Sequence, residues 1–109
     1  MIEKDLFSSL KTVCDRVYPQ IMPEDVVFPA IVYSVIFDGT EQSVAGEICG
    51  RTTRFQVDIY SKSYGEVKSL KDLAIVKIVA LDGGSVSAQD LYEDSIKLYR
   101  QLLDFKIKE

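Results

Sequence analysis

Arg51-Thr-Thr-Arg-Phe-Gln-Val-Asp-Ile-Tyr60, continued directly by Ser61-Lys-Ser-Tyr-Gly-Glu-Val-Lys-Ser-Leu70, changes its apolar period abruptly from two residues to about 3.6. A half-buried strand hands over to an amphipathic helix. In the strand, Phe55, Val57 and Ile59 point one way and face the core, while Arg54, Gln56, Asp58 and Tyr60 point the other. Ser61 or Ser63 supplies an N-cap, and Glu66 sits in the first turn, where the macrodipole favours an acid. Val67, Leu70, Ala74, Ile78 and Leu81 form the buried stripe of that helix, which Asp82-Gly-Gly84 ends.

Upstream, Ile2, Leu6, Leu10, Val13, Cys14 and Val17 recur at three- and four-residue intervals and predict a helix from about Ile2 to Val17. The prolines at 19 and 23 stop it and leave an extended connector. Ala30 to Phe37, rich in β-branched and aromatic residues, reads as the first strand, with Pro29 at its start. Asp38 to Gly50 is expected to be a loop. It is much longer than an ordinary hairpin turn, and its apolar Val44, Ala45, Ile48 and Cys49 suit ordering against a partner.

Downstream, Ser85 to Tyr92 reads as a third strand. Lys97 to Lys108 reads as a fourth, in which Tyr99, Leu103, Phe105 and Ile107 alternate with Arg100, Leu102, Asp104 and Lys106. The expected class is α+β, in the order α-β-β-α-β-β, with two helices packed on one face of a mainly antiparallel four-stranded sheet. Its core is drawn from Leu6, Leu10, Val13, Ile31, Tyr33, Phe55, Val57, Ile59, Leu70, Ala74, Ile78, Leu103 and Phe105.

At 109 residues the chain fits one domain, 1–109, able to bury about 65% of the surface its unfolded form exposes. A net charge of −4 leaves no broad basic surface for duplex DNA. No apolar run approaches the ~20 residues that span a bilayer, and the first residues lack a signal peptide's basic and apolar regions, so a soluble protein made inside the cell is expected. Cys14 reads as core and Cys49 as a loop residue; two cysteines without any histidine make neither a disulfide framework nor a zinc site.

The same absence removes the commonest activating base for a serine or cysteine nucleophile, and no G-x-S-x-G, P-loop or G-x-G-x-x-G motif is present. Glu24-Asp25 and Glu93-Asp94 read as solvated surface charge, and the spacing of Asp38 and Glu41 matches no calcium loop. Neither catalysis, nor a cofactor, nor a metal is expected.

Tyr18-Pro19, Pro29-Ala-Ile-Val-Tyr33, Phe55-Gln-Val-Asp-Ile-Tyr-Ser61 and Leu98-Tyr-Arg-Gln-Leu-Leu-Asp-Phe-Lys-Ile107, in this order, resemble the tail-completion proteins of long-tailed bacteriophages and prophages over almost the whole chain. The segment Asp38 to Gly50 departs from that pattern in content and length. The resemblance implies a structural protein of the virion, made in the bacterial host cytoplasm, which terminates the tail tube and joins it to the head-neck as a subunit of a hexameric ring. Its implied partners are itself, the tail-tube protein and the head-neck connector protein, with DNA passing through ungripped and no membrane contact. A polar strand face and a long loop suit such contacts, which puts Arg54, Gln56, Asp58, Glu41, Val44 and Ile48 forward as interface residues. The rival reading is a small adaptor or regulatory module that binds a host protein through its edge strand or long loop.

Overall fold

The computed structural model describes residues 2–42, 48–81 and 83–108, without the side chains of 41, 42, 48, 49 and 83–85. Its elements are α1 (Ile2–Lys11), β1 (Val17–Pro19), β2 (Ala30–Gln42), β3 (Ile48–Ser61), α2 (Tyr64–Ala80), β4 (Gly83–Glu93) and β5 (Leu98–Lys108). One five-stranded sheet joins them in the order β1-β2-β3-β5-β4. Four strands pair antiparallel, and β1 lies parallel to β2 through Val17↔Ile31, Tyr18↔Val32 and Pro19↔Tyr33.

The expected four-stranded, mainly antiparallel sheet in the order α-β-β-α-β-β is therefore corrected to a mixed five-stranded sheet in the order α-β-β-β-α-β-β. The difference arises between Thr12 and Pro19. The helix stops at Lys11, where the Lys11 ammonium donates to the Asp15 carbonyl at 2.8 Å and the Thr12 hydroxyl to that of Ser9 at 2.6 Å. Val17, expected on the helical stripe, is instead buried as a strand residue. Ile31 N donates to Arg16 O and Gln20 N to Tyr33 O, both at 2.8 Å, bracketing a three-residue strand. Pro19 is tolerated there because the outer edge of β1 asks for no donor.

Cys14 is buried as expected, but in the bend after α1, where its thiol donates to Pro29 O at 3.4 Å. From α1, Leu6 and Leu10 share one apolar cluster with Val67, Ala74 and Ile78 of α2 and with Ile31, Tyr33, Phe55, Val57, Ile59, Leu103, Phe105 and Ile107 of the sheet. Both helices thus lie against the same face. Val13 and Leu70 pack at the margin of that cluster. Phe55 and Phe105, opposite one another on β3 and β5, stack with ring centroids 5.6 Å apart, a contact worth about 0.5–1.5 kcal/mol beyond its burial. The α2 N-terminus is capped by Ser63, whose hydroxyl accepts from Glu66 N at 3.3 Å, while the Ser61 hydroxyl donates to the Glu66 carboxylate at 2.6 Å.

Within the segment expected as a loop, 38–42 and 48–50 lie in strands. The antiparallel ladder continues through Thr40↔Arg51 and Glu41↔Gly50 to Gln42↔Ile48. Strand β5 ends opposite Thr52, where Lys108 is its partner, so the β2–β3 hairpin runs on past the sheet as a two-stranded ribbon. This projection contributes to a molecule 53 Å long and about half as wide.

Candidate functional site

Three surfaces stand out. Alternation on β3 sends Arg54, Gln56 and Asp58 to the sheet face away from the helices, and each finds a partner within the chain. Arg54 donates to both oxygens of Asp104 on β5, at 2.9 and 2.6 Å. The Gln56 amide donates to Asp58 at 3.2 Å; Asp58 also accepts from Arg100 at 3.0 Å, and Arg100 in turn reaches Glu93 at 2.8 Å. Hydrogen bonds from Arg54 hold the Asp104 carboxyl below the usual carboxylate range, and Asp104 raises the Arg54 guanidinium. The face is thus polar yet internally compensated. Sequence reasoning missed Asp104 and Arg100, whose cross-strand partners 50 and 42 residues away leave no local signal, and read Glu93, seven residues from Arg100, as solvated charge.

The second surface is the base of the ribbon. Val35, Ile36 and Phe37 surround a β-bulge in β2, and Ile36 and Phe37 are 50% and 58% exposed. A β-carbon at Gly39 would stand 2.7 Å from the far end of the Phe37 ring, so that ring lies along the strand over the glycine. On the helix side, Asp38 pairs with Arg51 through both carboxylate oxygens, one of them at 2.8 Å, and this fork lowers the Asp38 carboxyl. It fastens the two strands where the ribbon leaves the sheet. Glu41 and Ile48 lie on its strands, but their side chains are outside the described atoms, and Val44 is outside the described residues.

The third surface is the outer side of α2. This helix is apolar on nearly every side: Val67, Ala74 and Ile78 are buried against the sheet, while Leu73, Val76 and Val79 are 53%, 64% and 56% exposed. Leu73, Val76 and Val79 thus lie in water among the charges of Glu66, Lys71, Asp72 and Lys77, an apolar surface suited to cover by a partner. The signal was present in the sequence as leucine and valine off the buried stripe, and reading only the stripe missed it.

A groove of about 570 Å³ opens between α1 and the β1 edge, lined by Glu3, Lys4, Phe7, Val17, Pro19 and Tyr33. Burial, then the neighbouring Glu3, pushes the Tyr33 phenol up. Among the described residues no group of three or more His, Cys, Asp or Glu is placed to hold a metal ion, and no helix is long and apolar enough to cross a membrane. The groups in these surfaces are suited to packing and ion pairing.

The family model described as tail completion protein gp17 matches residues 6–108. In fold, the chain is similar to one in the solved structure titled "Virion of native gene transfer agent (GTA) particle", with a TM-score of 0.71, 12% identity, and coverage of 98% of this chain and 90% of that one. No curated protein matches the sequence.

Proposed function

This chain belongs to the tail completion protein gp17 family, a structural family of phage tails, and on that premise we propose that it closes the tail tube at its head-proximal end and joins it to the neck as one subunit of a ring. Six copies are the expected number. The observation that carries this reading is the wet, apolar outer side of α2, which a repeated subunit contact would cover. In a cyclic array each subunit uses two different surfaces, so modest patches on opposite sides of one chain are enough, because the contact recurs at every subunit.

The projecting ribbon supports the same reading. A two-stranded hairpin is marginal by itself in water, and one extended past its sheet gains stability when a neighbour receives it. Glu41, Val44 and Ile48 are assigned here to contacts with the neck or the adjacent subunit. Arg54, Gln56 and Asp58 serve as a braced polar surface, since each of the three already has a partner inside the chain. The net charge of −4 suits a channel through which DNA passes without being held. Synthesis in the host cytoplasm followed by incorporation at the neck–tail junction completes the proposal.

Sedimentation of the purified protein, alone and with tail tubes, tests it. A ring-sized species formed on the tubes supports the reading, and a chain that stays monomeric and unbound at all concentrations contradicts it.

A further inference from the structure

We propose that the contact between successive subunits is a strand pairing in which the outer edge of β4 takes up the free outer edge of β2 of a second copy of this chain. The inference rests on the ring reading above. On β2, β1 covers only Ile31 to Tyr33; from Ser34 to Gln42 no strand lies beside that edge among the described residues. Among the described residues no strand lies beside the outer edge of β4. Such edges present rows of unpaired N–H and C=O groups, and proteins that keep them single place lysine or proline there.

Neither stretch contains Lys, Arg or Pro. The sheet's arginines and lysines lie on the interior strands β3 and β5 instead. Three acids on the two edges are neutralised from within: Asp38 by Arg51, Asp90 by Lys68 and Glu93 by Arg100. At Asp38, Asp90 and Glu93 the two edges therefore meet with their charge already compensated.

Register selects the segments. The β2 ladder is regular from Phe37 to Glu41, between its two irregularities, and β4 is regular from Ser87. Five residues make a strand of ordinary length. Because β2 and β4 run in opposite directions within one chain, a rotation that carries β2 of the next copy to β4 of this one makes them antiparallel.

Gly39 is level with Thr52, whereas Gln89 is level with Asp58 through Leu102. Bringing these midpoints together therefore displaces the next copy by six residues of β3, roughly 20 Å along the strands. Across the strands each copy adds four at this junction, roughly 19 Å. Closure then needs strands tilted by about 45° to the ring axis, close to the tilt at which sheets close into barrels.

The same displacement accounts for Val79 on α2. Tyr64 and Lys68 reach Asp90, so this flank of the helix faces the β4 edge, and Val79 follows on it at helical spacing. Shifted by six residues, the second copy sets its free β2 stretch beside this flank, with its Val35 near the level of Tyr64. Val35 is on the core face, opposite Phe55, yet partly exposed in the single chain. One junction covers both.

The pairing places Thr40 of the second copy opposite Ala88 of this one, on the same face. The test uses Thr40→Cys with Ala88→Cys in a Cys49→Ser background, oxidised mildly after assembly on tail tubes, with sedimentation and amide hydrogen exchange read in parallel. Expected are a ladder of covalent oligomers, absent from either single cysteine variant, and slow exchange of the alternate amides in 37–41 and 87–91 that exchange fast in the free chain. Assembled rings without cross-links, with those amides still fast, overturn the strand pairing and leave the ring intact. Failure to assemble at all overturns the ring reading, and the pairing with it.

Discussion

Phe37 rests on Gly39: a β-carbon on the glycine would come within 2.7 Å of the ring, two residues back along the same face of β2. A large aromatic kept at 58% exposure beside a bulge contributes little to the stability of the single chain, and its position is set by the absence of a side chain beneath it. Gly39→Ala is expected to shift the melting temperature by only a few degrees, because the exposed ring can swing away, while lowering assembly on tail tubes several-fold. Differential scanning calorimetry and sedimentation check the two halves separately.

Inside the core the consequence of truncation reverses. Phe55 and Phe105 are nearly inaccessible and stacked on each other, so Phe55→Ala or Phe105→Ala should each cost about 3–5 kcal/mol, a large share of a small domain's stability. Denaturant midpoints measure this. The double variant should cost less than the sum, since the two rings share one contact.

The outer side of α2 offers the complementary case. Val76→Lys removes nothing from the core and should leave the unfolding free energy within about 0.5 kcal/mol of the parent, while abolishing ring-sized species. Circular dichroism melts and sedimentation velocity test it; a loss of several kcal/mol would mean that Val76 packs inside the chain.

Acid acts through the carboxylates that pair with cations. Asp104, Asp38 and Asp90 are each held below the usual range by hydrogen bonds from Arg54, Arg51 and Lys68. With folded values below unfolded ones near ~4, the unfolded chain binds more protons, so their contribution is complete above that value and is lost as pH falls through the folded values. Melting temperature should be flat from about pH 5 to 7 on their account and decline below ~4. Asp104→Asn should make that decline shallower. These pairs are exposed, which keeps the effect of each small.

Much of this architecture was legible because local and global signals agree. Phe55, Val57 and Ile59 alternate in sequence and are all buried, Ser63 caps the helix that follows, and Leu103 and Phe105 meet them across the ladder. In sequence Val17 reads only as the end of a helix from Ile2, and a remote parallel pairing with Ile31 makes it a strand residue instead. No window around Val17 contains that information. Likewise Arg54 and Asp58 looked unexplained because their partners Asp104 and Arg100 are more than forty residues away. The ribbon was misleading in another way: glycine-rich and polar, Asp38 to Gly50 has the composition of a loop, yet Asp38 to Gln42 and Ile48 to Gly50 continue the ladder.

Deleting the gene and counting particles by electron microscopy tests the central claim most directly. The account predicts tails of uncontrolled length or finished tails separate from filled heads, restored by the parent chain and not by a Val44→Asp, Ile48→Asp double variant. Normal yields of joined, infectious particles from the deletion would contradict it.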